Sequence, residues 1–368
     1  MNTRNSRLFL PLLFLLLLLS AHAKGPEGGL HTRNILFVMT DGLRWQEVFH
    51  GADEALMVKE NGIDDSEKAK FWQETPEARR ELLMPFLWRT VAAQGQVFGN
   101  QDKGSVAVLT NGLNFSYPGY SETFCGFADP RINSNAKKPN PNVTVLEWLN
   151  GKSPYRGEVA AFGAWDVFPS ILNRRRCGFL VNAGYEPMEG KRLSPTMALL
   201  NRLKQETIRY WGGEPFDSLT FETAFEYFKT EKPRILYLSL GETDEWAHGG
   251  RYDLYLESAR NFDAAVKTLW ETAQSMPRYR GKTTLILATD HGRGLAPDAW
   301  KGHGQDVQGS EAVWMAFMGP DTPALGERTQ TEQVTQSQIA STLAAFLGED
   351  YCAAVPQAGK PILDVVGR

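Results

Sequence analysis

Residues 283–292 read TTLILATDHG, an apolar run that passes directly into a carboxylate, an imidazole and a glycine. Residues 35–42 (ILFVMTDG) and residues 235–250 (ILYLSLGETDEWAHGG) follow the same arrangement. Runs that are apolar almost throughout are typical of strands buried on both faces of a parallel sheet. Longer charged stretches with helical character separate them, which indicates helices on both faces. We therefore predict an α/β fold with a mostly parallel central sheet.

The sequence predicts the following elements around these runs. The candidate strands are apolar stretches at residues 35–40, 106–109, 159–162, 235–240, 284–289 and 313–318. Residues 77–93 and 254–273 have apolar side chains at three- and four-residue spacing, which predicts amphipathic helices. Residues 338–348 (QIASTLAAFLG) predict a closing helix with Gly348 as its C-cap. Residues 169–221 lack clean periodicity and predict either a cap over the active-site mouth or an ordinary surface insertion.

The N-terminus has the features of an export signal. Two arginines precede a twelve-residue apolar stretch, residues 8–19, and the tripeptide AHA that ends at Ala23 fits a cleavage site. A bilayer-spanning helix needs about 20 residues, so this stretch is too short. We predict that residues 1–23 are a signal peptide rather than an anchor or a buried helix. Residues 24–368 would then form a single exported α/β domain, periplasmic or secreted, without stable membrane insertion.

Charge and cysteine content exclude two classes of protein. The net charge is −4, and it becomes −6 once the two arginines of the predicted signal peptide are removed. A mildly acidic chain without a basic run gives no reason to expect structural nucleic acid as a partner. The three cysteines, Cys125, Cys177 and Cys352, are too few for a disulfide scaffold and include no CxxC pair, although one bridge could form.

Metal-binding side chains follow the apolar runs. Taken singly, Asp41 suits a turn and Asp244 suits a helix N-cap. Both, like Asp290, follow a predicted strand at its carboxyl end, where the ligand sites of open α/β sheets lie. Six such side chains are spread over more than 260 residues: Asp41, Asp244, His248, Asp290, His291 and His303. Mixed aspartate and histidine ligands without cysteine favour two divalent ions, zinc above all or manganese, over calcium.

Ser116, in NFSYPGYSETFCG (residues 114–126), is the candidate nucleophile. Coordination to a metal lowers the pKa of a serine hydroxyl, so no adjacent general base is needed. Pro118 predicts the start of a helix, whose first amides could face a phosphoryl oxygen. The alternative is that Ser116 serves as the N-cap of that helix.

With these residues in place, the chain resembles the alkaline phosphatase superfamily, and most of all its type I phosphodiesterase and nucleotide pyrophosphatase branch. The resemblance runs from residue 34 to residue 348 and implies an alkaline-phosphatase-like three-layer sandwich. It also implies two metal sites, one formed by Asp41, Ser116, Asp290 and His291 and the other by Asp244, His248 and His303. The proline two residues after Ser116 and the glycine ten residues after it match the spacing of the family.

The same resemblance implies the reaction and its alternatives. We expect hydrolysis of small-molecule phosphate esters through a covalent phosphoryl-serine, with Asn133 or Asn135 and Arg44 contacting the substrate. Serine replaces the threonine usual in the phosphodiesterase branch, which leaves a phosphomonoesterase open, with Arg44, Arg293 or Lys301 as its extra cation. A sulfatase would carry an arginine where this chain has Tyr120. A non-catalytic exported metal-binding protein is the alternative from another class.

Overall fold

The apolar runs form the middle of an eight-stranded sheet in a computed structural model that describes residues 29–190 and 192–367. The predicted signal peptide, residues 1–23, lies outside the described residues. Leu30–Gly367 form one compact unit. The described strands are β1 (Asn34–Thr40), β2 (Gln96–Phe98), β3 (Ala107–Val108), β4 (Val159–Gly163), β5 (Leu180–Ala183), β6 (Ile235–Leu240), β7 (Thr283–Thr289), β8 (Met315–Met318), β9 (Gly326–Glu327) and β10 (Val334–Thr335).

Helices cover the sheet and connect its strands. Those described are α1 (Trp45–His50), α2 (Asp65–Phe71), α3 (Pro76–Leu83), α4 (Ala92–Gln94), α5 (Ser116–Cys125), α6 (Val145–Asn150), α7 (Phe168–Ile171), α8 (Arg174–Cys177), α9 (Pro195–Glu206), α10 (Asp217–Glu231), α11 (Glu242–His248), α12 (Tyr252–Ser275), α13 (Ile339–Phe346), α14 (Tyr351–Ala354) and α15 (Leu363–Val366). Across the described helices, none combines the length and apolar character needed to cross a membrane.

The main sheet is mostly parallel, as predicted. Its strand order is β5-β4-β6-β1-β7-β8-β2-β9, and β3 pairs with β10 in a separate two-stranded sheet. β1 runs parallel to both β6 and β7, whereas β8 is antiparallel to β7 and to β2. The fold class expected from the sequence is therefore confirmed. The carboxyl ends of β6, β1 and β7, which lie side by side, meet at one edge of the sheet.

Alternate residues of β1 belong to two different hydrophobic clusters, which is how the three layers arise. Leu36 and Val38 pack on one face with α12, while Ile35, Phe37 and Met39 pack on the other face with α5 and α13. Every residue of β1 and β7 is buried. Burial on both faces explains why these strands are apolar along nearly their whole length.

Two predicted elements differ most from the structure, while β8 begins two residues later than predicted and the C-cap of α13 is Leu347 rather than Gly348. The helix predicted over residues 77–93 is broken, because α3 ends at Leu83 and a π-helical turn, Leu87–Val91, precedes α4. Pro85 lies at the break. A proline interrupts a helix because it lacks an amide donor and its ring clashes with the preceding turn. The Asp263 carboxylate accepts hydrogen bonds from the Phe86 and Leu87 amides at 2.7 and 2.8 Å. The strand predicted over residues 106–109 is shortened to β3 and lies outside the main sheet.

The segment without clean periodicity, residues 169–221, contributes to the sheet as well as to the surface. It includes α8, α9 and the edge strand β5, which pairs in parallel with β4. Gly184 and Tyr185 follow β5, and Glu214 lies in the connection to α10. The segment thus reaches the same sheet edge at which β1, β6 and β7 end.

Candidate metal centre and nucleophile

The first candidate metal group consists of Asp41, Asp290 and His291, all buried, with one ligand atom from each within 4.8 Å of the others. Asp41 follows β1 and the other two follow β7, its parallel neighbour. The His291 Nε2 atom lies 3.2 Å from Asp41 Oδ1 and 3.5 Å from Asp290 Oδ2. The His291 Nδ1 atom donates to the carbonyl of Gly292 at 2.8 Å. That hydrogen bond directs the unprotonated Nε2 atom toward the carboxylates.

The second candidate group consists of Asp244, His248 and His303, again with ligand atoms within 4.8 Å of one another. Asp244 and His248 lie one turn apart on α11, and His248 Nε2 is 3.1 Å from Asp244 Oδ2. His303 Nε2 lies 3.1 Å from His248 Nε2 and 3.6 Å from Asp244 Oδ1. The carbonyl of Asn114, two residues before Ser116, accepts a hydrogen bond from His303 Nδ1 at 3.2 Å.

The two groups adjoin each other. The rings of His291 and His303 stack with their centroids 3.9 Å apart. The Asp244 Oδ1 atom lies 3.8 Å from His291 Nε2, so this carboxylate faces both groups. The six side chains that the sequence analysis singled out as metal ligands therefore come together at one place, although they are spread over most of the chain.

Ser116 lies beside the first group. It is the first residue of α5, and its Oγ atom is 3.4 Å from His291 Nε2. The N-cap is Phe115, so the alternative of Ser116 as N-cap is wrong. The helix begins two residues before Pro118, which occupies its third position, where the missing amide costs no intrahelical hydrogen bond. The Tyr117 amide already donates to Asn135 Oδ1 at 3.0 Å, so it is not free to meet a phosphoryl oxygen as expected.

Gly42 permits the close packing of the centre. Its φ of +57° is in the left-handed region. A β-carbon at this position would lie 2.7 Å from Asp244 Oδ1 and 3.1 Å from His291 Cε1. The Gly42 amide donates to Asp290 Oδ1 at 3.0 Å. Glycine therefore combines a turn after β1 with space for the ligands of both groups.

Burial sets the protonation of the histidines. Burial lowers the pKa of His291 to about 4 and the pKa of His303 to about 3. Both imidazoles are neutral at pH 7, which is the form that binds metals. His248 is more exposed, and the hydrogen bond from its ring to Asp244 raises its pKa.

The carboxylates are crowded, and they titrate differently. Burial, followed by the charge of Asp244, raises the pKa of Asp41 to about 7. Burial, followed by the charge of Asp41, raises the pKa of Asp290 well above its usual value. Burial also opposes the ionisation of Asp244, but Arg293, His248 and His303 together outweigh it and hold that pKa well below the usual range. Like charges brought this close require a cation, which a metal supplies.

Two carboxylate oxygens point to the same conclusion. Asp41 Oδ1 and Asp290 Oδ2 are buried and have no hydrogen-bond partner among the described residues. A buried charged oxygen without a partner is costly, and metal coordination compensates it. The other Asp41 oxygen, Oδ2, accepts a hydrogen bond from the Tyr120 hydroxyl at 3.0 Å, which fixes the carboxylate plane. The donor set and its unpaired oxygens thus fit divalent cations.

The candidate substrate contacts are dispersed. The Asn135 side chain contacts the start of α5, because its Oδ1 atom accepts the hydrogen bond from the Tyr117 amide. Asn133 is exposed and has no side-chain hydrogen bond within the described residues. Arg44 is almost completely buried, and its guanidinium bonds to Glu47 and to Asp53. The structure does not bring Arg44 to the metal ligands.

Sequence reasoning missed several side chains that hold the centre in place. Tyr120 appeared only as a mismatch to another motif, yet it bonds Asp41. Glu122 is fully buried and accepts hydrogen bonds from the Thr110 and Asn111 amides at 3.0 Å. It thereby holds the loop that carries Asn114. The only sequence feature that could have indicated this role is its position six residues after Ser116. Arg293 was considered as a substrate contact or as an ordinary ion-paired side chain, but its partner, Asp244, was not foreseen.

One protein family matches most of the chain. The sequence profile of the family described as type I phosphodiesterase / nucleotide pyrophosphatase matches residues 38–309, about three quarters of the chain. That span includes all seven predicted metal ligands. No curated protein sequence matches the chain.

Solved structures share the fold at low sequence identity. The alkaline phosphatase PafA matches with a TM-score of 0.58 and 10% identity, covering 92% of this chain and 100% of its own. The 2-O GAG sulfatase BT1596 matches with a TM-score of 0.52 and 14% identity, covering 91% of this chain and 74% of its own. A protein in the alkaline phosphatase superfamily from Vibrio parahaemolyticus matches with a TM-score of 0.50 and 12% identity, covering 90% of this chain and 70% of its own. At these identities the likeness is one of fold.

Proposed function

Because the chain belongs to the type I phosphodiesterase / nucleotide pyrophosphatase family and is a hydrolase of the alkaline phosphatase superfamily, we propose that it hydrolyses phosphoric diesters with Ser116 as nucleophile. One observation carries the proposal: Ser116 Oγ lies at the start of a helix, 3.4 Å from His291 Nε2, among two adjoining groups of metal ligands. A hydroxyl buried in this position has a catalytic use and no evident structural one.

Each residue has a distinct task in this reaction. Asp41, Asp290 and His291 would hold one divalent ion beside Ser116, while Asp244, His248 and His303 would hold the other. Bound zinc ions, or manganese ions, would lower the pKa of the serine hydroxyl and offset charge on the phosphate oxygens. Tyr120, Gly292 and Asn114 fix the orientation of ligand side chains through the hydrogen bonds described above.

The reaction proceeds in two displacements at phosphorus. In the first, Ser116 Oγ loses its proton to solvent and bonds to phosphorus as the bond from phosphorus to the departing alcohol oxygen breaks. The alcohol takes up a proton as it leaves. In the second, water attacks the phosphoryl-serine, the bond to Ser116 Oγ breaks, and the serine regains a proton. The product is the phosphate monoester of the remaining alcohol.

The neighbourhood of the centre favours a diester over a monoester. A monoester carries more negative charge and calls for an additional cation, for which Arg44, Arg293 and Lys301 were the candidates. The guanidinium groups of Arg44 and Arg293 are both buried and bonded to carboxylates of the protein. Lys301 is exposed. The two buried cations nearest the motifs are therefore engaged in positioning protein groups.

The structure also weighs against a sulfatase. The position at which sulfatases carry an arginine is Tyr120, whose buried hydroxyl bonds Asp41 and, at 2.8 Å, Ser239. This side chain orients a candidate metal ligand, and the chain therefore lacks the arginine that the sulfatase motif requires at this position.

Export through residues 1–23 is also part of the proposal. Sequencing of the mature N-terminus tests it, with Lys24 as the expected first residue.

The test combines metal analysis with three substrates. Purified protein is expected to contain about two zinc or manganese ions per chain and to hydrolyse bis-p-nitrophenyl phosphate faster than p-nitrophenyl phosphate or p-nitrophenyl sulfate. Ser116→Ala is expected to keep the metals and lose turnover, which separates the nucleophile from the ligands. A preference for the monoester or the sulfate would move the protein to that branch. Bound metal without turnover of any ester would identify a non-catalytic metal-binding protein.

A further inference from the structure

A cavity separate from the candidate metal centre, called the second cavity below, lies beyond the carboxyl ends of β4 and β5. Its volume is about 510 Å³, and its walls include Asp166, which follows β4, and Tyr185, which follows β5. Residues 209, 212 and 213, in the connection before α10, close another side. In open α/β sheets, ligands bind beyond the carboxyl ends of the strands, and this is the edge at which the metal ligands lie.

Residues that contact α5 line the cavity. The hydroxyl of Tyr117, the residue after Ser116, lies 2.6 Å from the carbonyl oxygen of Lys138 and 3.1 Å from that of Ser170, which lines the cavity. The Tyr117 amide bonds to Asn135, and Lys137, two residues further along, lines the cavity as well. Tyr117 thus connects the start of α5 to two segments that line the cavity.

Glu214 joins the lining of the cavity to the end of β6, because a β-carbon on Gly241, three residues before Asp244, would lie 1.4 Å from Glu214 Oε1. It directly follows Gly213, which lines the cavity and whose carbonyl accepts a hydrogen bond from the Asp166 amide at 3.2 Å. Burial, followed by the charge of Asp41, raises the pKa of Glu214 well above its usual value. The pKa of Tyr185 is raised by burial and is also affected by the charge of Glu214. The two sites are thus electrostatic neighbours.

The lining carries one positive charge without a carboxylate partner. Lys137 pairs with Asp166 at 2.6 Å, and Arg174 pairs with Glu186 at 2.5 Å. Arg209 has no ion pair with any described residue, and its guanidinium lies over the ring of Tyr185, 4.7 Å from the centroid. An anion that entered the cavity would meet an available guanidinium with several donors.

The Tyr185 hydroxyl is a second, independent indication of a ligand. Tyr185 is 8% exposed, and its hydroxyl is buried without a hydrogen-bond partner among the described residues. A buried hydroxyl without a partner is unfavourable, whereas an oxygen of a ligand in the cavity would accept its hydrogen. Burial raises the pKa of Tyr185, so the hydroxyl keeps its proton at neutral pH.

We propose that this cavity is a subsite for an anionic group on the substrate, carried by the alcohol portion away from the reacting phosphorus and bound by Arg209 and Tyr185. The inference rests on the proposed function and narrows its substrate class to phosphoric diesters that bear a second phosphate, sulfate or carboxylate. The three anions share the feature that the subsite recognises, namely negatively charged oxygens.

Matched substrates test the proposal. They are p-nitrophenyl propyl and p-nitrophenyl hexyl phosphate, each compared with analogues whose alkyl chain ends in a phosphonate, a sulfonate or a carboxylate. The charged analogues are expected to have a KM about tenfold lower at unchanged kcat, because the added contact lies away from the reacting atoms. The anion with the largest effect identifies the natural one.

Two variants and one control locate the effect. Arg209→Ala and Tyr185→Phe are expected to remove most of the preference for charged chains. Arg202→Ala alters an exposed arginine on α9 whose only described partner is Glu206 on the same helix, and it is expected to keep the preference. A preference that survives both Arg209→Ala and Tyr185→Phe would overturn the proposal.

Calorimetry with Ser116→Ala separates this inference from the proposed function. If none of the diesters is hydrolysed by the wild-type protein but the charged ones still bind more tightly through Arg209, the proposed reaction fails and the subsite stands. If neutral and charged diesters bind equally, the subsite is wrong whatever the enzyme hydrolyses.

Discussion

At the scale of single residues, the first candidate metal group consists of buried side chains. Asp290 is fully buried, one of its oxygens bonds the Gly42 amide, and the other has no described hydrogen-bond partner. Its charge is tolerated only when a cation is present. A substitution of Asp290 that keeps the shape of the side chain and removes its charge therefore tests its contribution to metal binding.

Asp290→Asn is expected to lower metal content by about one ion per chain and diester turnover by roughly a thousandfold or more, because one ligand of the first group is lost. Elemental analysis and kinetics with bis-p-nitrophenyl phosphate measure both. Asp298→Asn, an exposed position eight residues further along, is the control and should behave as wild type. Near-normal turnover by Asp290→Asn with full metal content would contradict the assignment.

Glu122 acts on the centre through the loop that it holds. Both of its oxygens accept hydrogen bonds from Thr110, and Oε2 also accepts the Asn111 amide group at 2.9 Å. In a glutamine, one of these oxygens is replaced by an NH2 group, which is a donor and cannot accept hydrogen bonds from Thr110 or Asn111. Since Asn114 in this loop bonds His303, the second metal group depends on Glu122.

Glu122→Gln is accordingly expected to reduce kcat/KM by about 10- to 100-fold, the range typical of outer partners of metal ligands. Metal content should fall toward one ion per chain, and added zinc should restore part of the activity. A purely structural role would lower thermal stability without that metal-dependent rescue. Glu189→Gln, at an exposed position, provides the comparison.

At the scale of secondary-structure elements, the approach of α5 to β7 sets the position of the nucleophile. Gly119 lies one turn after Ser116, and a β-carbon there would be 2.2 Å from the carbonyl oxygen of Asp290. No side-chain rearrangement can relieve contact with a backbone atom. The helix can lie this close to the end of β7 only because residue 119 is glycine.

Gly119→Ala is expected to displace α5 and reduce kcat/KM by about a hundredfold, since misplacement by about 1 Å has that cost. The free energy of unfolding should fall by about 1–3 kcal/mol. Gly249→Ala is the matched control, because Gly249 has a φ of −71° and its added β-carbon would have no neighbour closer than 3.5 Å. Chemical denaturation and steady-state kinetics report the two effects separately. Equal behaviour of the two variants would contradict this view of α5.

The elements were predictable where burial on both faces dictates the sequence. β6 has the predicted bounds, and α12 and β7 differ from the predictions by only one or two residues at their ends. β2, β5, β9 and β10 were missed because strands of two to four residues carry too little periodicity to be recognised. The break in the helix predicted over residues 77–93 depends on Asp263, a partner nearly 180 residues away, although Pro85 was visible in the sequence.

The site was predictable to the same extent. Most of its candidate metal ligands follow strands whose parallel arrangement could be inferred, so their convergence at one edge could be expected. The Tyr120–Asp41, Arg293–Asp244 and Glu122–Thr110 contacts could not, because each depends on the distance between two elements and on side-chain direction. Sequence pattern specifies which edge of the sheet carries the site, whereas packing specifies which neighbours support it.

At the scale of the whole molecule, metal binding and folding stability are linked through pH. The folded-state pKa of Asp41, about 7, lies above its ordinary value of 3.8. The metal-free folded protein therefore binds this proton more tightly than the unfolded chain does, and the resulting stability is lost as pH rises through about 7. His291 and His303, with pKa values of about 4 and 3, stay neutral above pH 5.

We expect chelated wild-type protein to lose more than about 1 kcal/mol of unfolding free energy between pH 5 and pH 8 relative to Asp41→Asn. Saturating zinc should reverse the trend for the wild type, because metal binding requires the ionised carboxylate and stabilises the folded state. Denaturation curves at both pH values, with chelator or with zinc, provide the measurement. A chelated wild type whose pH dependence parallels that of the variant would refute the linkage.

The strand order has a consequence for how such a protein can diversify. Residues 127–234, between α5 and β6, supply β4 and β5 at one edge of the sheet and line the second cavity, but they contain none of the seven predicted metal ligands. They form a single contiguous cassette, joined to the rest of the sheet through the pairing of β4 with β6. Exchange of this segment between related proteins is expected to change the substrate preference while leaving the seven predicted metal ligands in place.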